Sequence, residues 1–141
     1  CAPAIKAAIS LPFLHIGETC AARLSADHRQ RPVLLGTAFT MEEDFYTARL
    51  EASDLSPVIP DAAQRADIHA IIFDELVHGV TSDTSRTRYI EIVADLASKG
   101  ADSVILGCTE IGMLLNQSNS PLPPYDTAQI HCQAAIEMAL R

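Results

Sequence analysis

The turn Gly107-Cys108-Thr109-Glu110 places a thiol, a hydroxyl and a carboxyl group next to one another in the sequence. The apolar run Ser103–Leu106 before it predicts a buried strand, and residues 111–115 after it predict a short helix. A helix N-terminus favours the thiolate form of a nearby cysteine, and its free backbone N–H groups can bind a carboxylate. The turn therefore places a candidate reactive thiol beside a candidate carboxylate-binding site.

Composition limits the classes of partner that this chain can take. Its 141 residues suit a single domain, and 48% apolar with 20% charged residues is typical of a globular protein. The net charge of −8 argues against binding to nucleic acid or to an anionic membrane. No apolar run approaches the roughly 20 residues that span a bilayer, and no secretory leader is visible. A small anionic substrate stays compatible, because local N–H groups can outweigh a distant surface charge.

The cysteines show neither a metal-binding nor a disulfide pattern. The chain contains Cys1, Cys20, Cys108 and Cys132, with no C-x-x-C pair and no Cys/His ligand spacing. Zinc and other metals are therefore not expected. Free thiols in a chain of this size favour a reducing compartment, and we expect the cytoplasm.

Apolar runs alternate with helical patterns along the chain, which predicts a three-layer α/β/α fold with a mostly parallel sheet. Ligands bind such sheets beyond the carboxyl ends of the strands, where residues 36–40 and 107–110 form polar turns. Strands are predicted at residues 11–16, 32–36, 56–60 (an edge strand), 103–106 and 122–125. Helices are predicted at residues 2–9, 18–26, 40–51, 61–79, 82–100, 111–115 and 127–141. Asp61, with Gln64, is expected to cap the helix at 61–79, and Ser82 is expected to open the helix at 82–100.

Five motifs, in this order, resemble the aspartate/glutamate racemase family from about Leu11 to the C-terminus. They are Leu34-Leu35-Gly36-Thr37, Thr40-Met41, Phe45-Tyr46, Gly107-Cys108-Thr109-Glu110-Ile111 and Asp126-Thr127-Ala128-Gln129-Ile130-His131. The resemblance implies racemisation of L- and D-aspartate or glutamate without pyridoxal phosphate, metal or another cofactor. It implies two similar lobes with the substrate between them, each lobe contributing one cysteine. One cysteine, as thiolate, removes the α-proton, and the other, as thiol, delivers a proton to the opposite face.

The same resemblance assigns roles to individual residues. Cys108 matches the second catalytic cysteine of the family, and Thr109 matches the residue that helps hold the α-carboxylate of the substrate. Glu110 is implied to orient either the cysteine or the substrate ammonium group. Thr37 and Thr40 match loop donors of the same lobe. The partners implied are a small acidic amino acid, the other lobe of the enzyme and a second subunit in a homodimer.

The first motif of the family, a Cys-Thr-Asn-Thr turn, is absent. Cys1 is followed by Ala2-Pro3-Ala4 and is a poor match for it, so the first lobe is expected to be missing. On this interpretation residues 1–10 are a helix left over from that lobe, 11–115 are the second lobe, and 121–141 are a strand and helix that return to the first lobe. The segment Glu75-Leu76-Val77-His78-Gly79 lacks the basic residue common in this branch and leaves the substrate preference open.

Other interpretations remain open at this point. The chain could be a one-cysteine decarboxylase or isomerase of the same superfamily, a non-catalytic fragment that binds a dicarboxylate or amino acid, or an inert truncated product. Structural roles are expected for several conspicuous side chains. They are Cys20 and Cys132 in the core, His15 and His131 as hydrogen-bonded histidines, Asp126 as a helix cap, Thr40 with Glu43 as a capping pair, and Glu42, Glu43 and Asp44 as a solvated first turn.

Overall fold

A parallel three-stranded sheet forms the centre of the chain in the computed structural model, which describes residues 2–140. The strands are β1 (Pro32–Leu35), β2 (Ser103–Leu106) and β3 (Pro124–Asp126), in the order β1-β2-β3. Val33 pairs with Val104, and Ile105 pairs with Tyr125. The parallel sheet with flanking helices confirms the predicted α/β class.

Seven α-helices accompany this sheet in residues 2–140. They are α1 (Ala2–Ala8), α2 (Ile16–Ala26), α3 (Ala38–Glu42), α4 (Asp44–Glu51), α5 (Ala62–Asp74), α6 (Asp83–Ser98) and α7 (Thr127–Ala139). Two 3-10 helices, Leu76–His78 and Thr109–Met113, follow α5 and β2. No helix within these residues is both long and apolar enough to cross a membrane.

Side chains of successive strand residues enter two different cores, because they point to opposite faces of a sheet. Val33 and Leu35 pack with α5 and α6, as do Val104 and Leu106 of β2. Leu34 and Ile105 pack on the opposite face with α2 and α4, and Tyr125 of β3 joins this second core. Helices therefore cover both faces of the sheet.

Proline residues lie along both outer edges of the sheet. Beyond β1, the strand predicted at residues 56–60 is reduced to one parallel bridge between Val58 and Val33, with Pro57 and Pro60 on either side. Val58 N–H donates to Pro32 O at 2.8 Å, and Leu34 N–H donates to Val58 O at 3.0 Å. At the other edge, Pro124 begins β3 directly after Pro123. Because β3 pairs with β2, it belongs to the same sheet; whether residues 121–141 also contact a preceding lobe stays a prediction.

The strand predicted at residues 11–16 is wrong. The segment forms no ladder with any described strand, and Leu11 is 75% exposed. Its end instead starts α2, where His15 is the N-cap and its Nδ1 accepts the Gly17 N–H at 3.1 Å. An apolar run alone does not make a strand when Pro12 removes a donor and no neighbouring strand pairs with it.

Helix caps were predicted correctly where the signal is local. Asp61 and Gln64 form a reciprocal capping box at α5, and Ser82 accepts the Ser85 N–H at the start of α6. The predicted Thr40–Glu43 pair is wrong. The helix begins at Ala38, after the turn formed by Gly36 and Thr37, so that Thr37 is the cap and Thr40 already lies inside α3.

Candidate active site

The turns that follow β1 and β2 are joined at the carboxyl edge of the sheet. Gly107 N–H donates to Leu35 O at 2.7 Å. The Thr40 methyl group packs against both turns, because a Cβ atom on Gly36 would lie 2.9 Å from it and one on Gly107 would lie 3.4 Å from it. The structure therefore brings Thr40 next to the turn that carries Cys108, although the two are far apart in sequence.

Most polar groups of the β1 turn form hydrogen bonds with other groups of the same turn. Thr37 Oγ1 accepts the Thr40 N–H at 3.4 Å and lies 3.3 Å from Thr40 Oγ1. Ala38 N–H donates to His69 Nδ1 of α5 at 3.1 Å, and the His69 ring packs against Phe73 at a tilt of 46°, with centroids 4.7 Å apart. Sequence reasoning missed His69. No local signal marks it, because the contact spans 31 residues and exists only after α5 has packed.

In the β2 turn, two neighbouring side chains donate hydrogen bonds to the same carboxylate oxygen of Glu110. Cys108 is half-buried, with an extended backbone, and it precedes the 3-10 helix without capping it through its side chain. Its Sγ–H donates to Glu110 Oε2 at 2.9 Å. The hydroxyl of the exposed Thr109 donates to the same oxygen at 2.8 Å. These three residues are the ones predicted from the sequence, and their side chains meet at one oxygen of Glu110.

Burial and the hydrogen bond with Glu110 raise the pKa of the Cys108 thiol to about 11. The same thiol and the Thr109 hydroxyl lower the pKa of Glu110. At neutral pH the pair is therefore a neutral thiol and an ionised carboxylate. The thiolate-favouring effect of a helix N-terminus does not prevail here, since the helix is a five-residue 3-10 helix and a carboxylate faces the sulfur.

The beginning of α7 lies beside the Cys108 turn at the same edge of the sheet. Thr127 Oγ1 donates to Leu106 O at 3.0 Å, and Asp126 Oδ1 accepts the Gln129 N–H at 3.0 Å, as expected of a helix cap. Gly112 of the 3-10 helix faces Asp126, whose Oδ2 would lie 3.8 Å from a Cβ atom at that position. The motif at residues 126–131 thus frames the Cys108 turn.

Comparison with protein families identifies the family of this chain. Residues 1–135 match the family described as Asp/Glu/Hydantoin racemase. The chain belongs to the Asp/Glu/Hydantoin racemase family. That membership agrees with the five motifs, which extend over β1, α3, α4, the Cys108 turn and the start of α7.

Solved structures of related racemases have the same fold. A candidate Asp/Glu racemase from Yersinia pestis is 38% identical to this chain, with a TM-score of 0.95, over 99% of this chain and 61% of the other. An aspartate racemase homologue from Pyrococcus horikoshii OT3 is 29% identical, with a TM-score of 0.92, over 99% and 62%. An aspartate racemase from Picrophilus torridus is 25% identical, with a TM-score of 0.68, over 90% and 52%. This chain thus spans about three fifths of the length of the first two relatives.

The other cysteines of this racemase-family chain lie in different surroundings. Cys20 is fully buried in the core between α2 and the sheet, as predicted, and burial raises its pKa to about 11. The prediction that Cys132 fills the core is wrong. Cys132 is exposed, because α7 packs on α2 through its opposite face. Cys1, the weak candidate for the first catalytic cysteine, lies outside the described residues.

Several polar residues have structural partners that account for them. His131 Nδ1 lies 3.4 Å from Thr19 Oγ1, so both histidines singled out in the sequence are hydrogen-bonded. Glu75 accepts hydrogen bonds from Ser82 at 3.0 Å and from Ser85 at 2.7 Å, which joins it to the start of α6. In residues 2–140, no group of three or more His, Cys, Asp and Glu side chains is arranged to hold a metal ion.

Proposed function

We propose that this chain is one lobe of a cofactor-independent racemase for aspartate or glutamate, with Cys108 as one of its two proton-transferring groups. The observation that carries the proposal is the half-buried thiol held 2.9 Å from Glu110 at the carboxyl edge of a parallel sheet. Membership of the racemase family supports the reaction class. The position beyond the strand ends is where folds of this kind bind ligands.

In the proposed reaction the neutral Cys108 thiol is the acid. A base on the preceding lobe removes the α-proton from one face of the amino acid, and Cys108 delivers its own proton to the opposite face. The S–H bond breaks, its electron pair stays on sulfur, and a new C–H bond forms on the carbanion. In the reverse direction the Cys108 thiolate takes the proton and the opposite group returns one. A thiol that is protonated at neutral pH fits the donor role.

The proposed substrate contacts are donors at the same edge. Thr109 is exposed next to the thiol and supplies a hydroxyl to the α-carboxylate, together with N–H groups of the turn. Thr37 and Thr40 border the site from the β1 turn. The lobe that completes the site would supply the second thiol, and a homodimer of complete subunits is the assembly proposed.

A one-cysteine decarboxylase or isomerase is the second candidate. It is favoured by the protonated state of Cys108, because such an enzyme needs only a single proton donor on one face of a carbanion. A substrate with two carboxylates on the α-carbon would then lose carbon dioxide with a proton taken from Cys108. This candidate predicts turnover of a 2-substituted malonate and no interconversion of aspartate enantiomers.

The test uses a two-lobed protein that contains this chain and the other proposed lobe. Circular dichroism follows the conversion of L- to D-aspartate and of L- to D-glutamate. Cys108→Ala should lower the rate by roughly 10²- to 10⁴-fold, which is the contribution of a positioned proton donor. Cys132→Ala is the matched control and should keep the full rate, since Cys132 is an exposed thiol in the middle of α7. Unchanged racemisation in Cys108→Ala would remove the thiol from the reaction.

A further inference from the structure

His69 of α5 accepts a backbone hydrogen bond from the helix that follows the β1 turn. Its Nδ1 lies 3.1 Å from the Ala38 nitrogen, and Ala38 is the first residue of α3. The first N–H groups of a helix have no acceptor within the helix, so this contact satisfies one of them. Because a backbone N–H can only donate, Nδ1 carries no proton in this contact. His69 therefore acts here as a hydrogen-bond acceptor.

Helix α3 depends on contacts with α5 for its orientation. Its five residues are too few for a helix that is stable by itself, because forming the first turn is unfavourable. A second contact joins Arg65 Nε of α5 to Glu42 Oε1 at 3.1 Å, but the Glu42 side chain is 52% exposed. An exposed ion pair contributes little to stability. The partly buried bond from Ala38 to His69 is thus the stronger of these two contacts.

Thr40 connects the position of α3 with the turn that carries Cys108. Its methyl group packs so closely that a Cβ atom at Gly36 would lie 2.9 Å from it and one at Gly107 would lie 3.4 Å from it. Gly107 directly precedes Cys108, and its N–H donates to Leu35 O at 2.7 Å. Closely packed interiors pass small displacements from one group to the next. A shift of α3 would therefore move Thr40 away from both glycines or displace the Cys108 turn itself.

We propose that His69 is a positioning residue of the racemase site, which holds Thr40 against the Cys108 turn through its hydrogen bond with Ala38. The inference rests on the proposed function and adds to it a residue that acts through α3. Proton transfer between sulfur and carbon needs an accurate approach of the two atoms, and a misplacement of about 1 Å can lower a rate by roughly 10²-fold. His69 contributes through this geometry and transfers no proton.

Two substitutions separate the hydrogen bond from the packing of the His69 ring. The ring lies against Phe73, with centroids 4.7 Å apart, so a purely structural role would depend on this apolar contact. His69→Leu keeps an apolar side chain against Phe73 and removes the acceptor. His69→Asn removes the ring but keeps an acceptor, because one carbon atom separates the asparagine Oδ1 from Cβ, as it does the histidine Nδ1. Positioning and packing therefore predict opposite orders for the two variants.

The rates are measured in the two-lobed protein by circular dichroism of L-aspartate and of L-glutamate. His69→Leu should lower kcat by about 10- to 100-fold with little change in KM, because the substrate still binds but the thiol is misplaced. His69→Asn should restore most of kcat. Glu42→Gln is the matched control and should keep the full rate, because it breaks only the exposed ion pair between α3 and α5. A kcat that is full in His69→Leu, or no higher in His69→Asn than in His69→Leu, would overturn the inference.

Thr40→Ser tests the same connection from its other end. It removes the methyl group that packs against Gly36 and Gly107 and retains the hydroxyl, so kcat should fall while His69 is intact. Urea denaturation of every variant reports its stability separately from its rate. If His69→Leu does not fold, the inference is decided by Thr40→Ser, and a full kcat in that variant would overturn it.

A measurement without turnover follows the connection to Cys108 directly. The two-lobed protein is labelled with ¹⁵N, and the amide signals of Ala38, Gly107 and Cys108 are compared among the variants. His69→Leu should shift all three signals, whereas His69→Asn should leave those of Gly107 and Cys108 close to their original positions. A shift in His69→Leu that is confined to Ala38 would show that the bond is only a local helix contact, and would overturn the inference.

These outcomes separate the inference from the proposed function. If the two-lobed protein racemises aspartate through Cys108 and His69→Leu keeps the full kcat, the positioning role is wrong and the reaction stands. If no racemisation occurs but the Cys108 amide signal responds to His69→Leu and is restored by His69→Asn, the connection through α3 stands and the reaction class is wrong.

Discussion

The turns after β1 and β2 end neighbouring strands of one sheet, yet they use their polar groups differently. In the β1 turn, Thr37 caps a helix and Ala38 donates to His69. In the β2 turn, Cys108 makes no capping bond, and its thiol and the Thr109 hydroxyl converge on Glu110. One turn is a frame built from satisfied groups, whereas the other presents groups that a ligand can engage. The candidate site residues of the β2 turn therefore lie beside a turn whose polar groups are bonded mainly to one another and to His69.

Substitution of Gly36 and of Gly107 by alanine should give the largest difference in stability between the two turns. A Cβ atom at Gly107 would lie 2.5 Å from Leu35 O, a backbone atom that cannot move without shifting β1. At Gly36 the closest atoms belong to the Thr40 side chain, at 2.9 Å, and the short α3 can adjust. We expect Gly107→Ala to lower the free energy of unfolding by about 3 kcal/mol and Gly36→Ala by about 1 kcal/mol. Urea denaturation measures both, and equal losses would show that the two turns are equally tolerant.

Removal of the β1 cap tests whether that turn is the structural one. Thr37→Ala deletes the oxygen that accepts the Thr40 N–H, and should cost about 1 kcal/mol in unfolding free energy. Thr109→Ala removes an exposed hydroxyl from the other turn and should cost less than about 0.5 kcal/mol. The same urea series checks both variants. The contrast between the turns would be lost if Thr109→Ala proved the more damaging change.

The smallest expected effect is the loss of folding stability at alkaline pH. The pKa of Cys108 is raised from 9.0 to about 11 in the folded chain, so the unfolded chain loses that proton first. Folding is therefore progressively disfavoured as the pH rises from about 9 to about 11. Because Cys108 is only half-buried, its share is less than about 1 kcal/mol after allowance for solvent screening.

The variant Cys108→Ser isolates the contribution of the Cys108 thiol to this loss of stability at alkaline pH. Chemical denaturation at pH 8 and pH 10.5 should show a slightly smaller loss of stability in this variant than in the unsubstituted chain. The fully buried Cys20 keeps a raised pKa in both chains and accounts for a remaining part of the slope. A variant that loses as much stability as its parent would show that the Cys108 pKa is not raised.

Local sequence signals predicted the parts of the fold that depend on adjacent residues. Strand β2 lies at Ser103–Leu106 as predicted, and the caps at Asp61, Ser82 and Asp126 were correct because each joins groups three residues apart. The Cys108 turn was found for the same reason. Its three candidate site residues, Cys108, Thr109 and Glu110, are consecutive in the sequence.

The failures share a dependence on packing between distant segments. Residues 11–16 were apolar enough for a strand but have no described strand to pair with. Cys132 is exposed because α7 uses only one face against α2, which composition does not specify. The contact of His69 with the β1 turn spans 31 residues, and no local sequence pattern predicts it.

The prolines at the two margins of the sheet also affect how this chain meets other chains. An open strand edge with free N–H groups can recruit a strand from another molecule and start aggregation. Here Pro57 and Pro60 surround the single bridge at one margin, and Pro123 and Pro124 remove donors at the other. Neither margin offers a regular row of donors for strand addition. The described margins of this three-stranded sheet are therefore poor templates for the addition of a strand from another molecule.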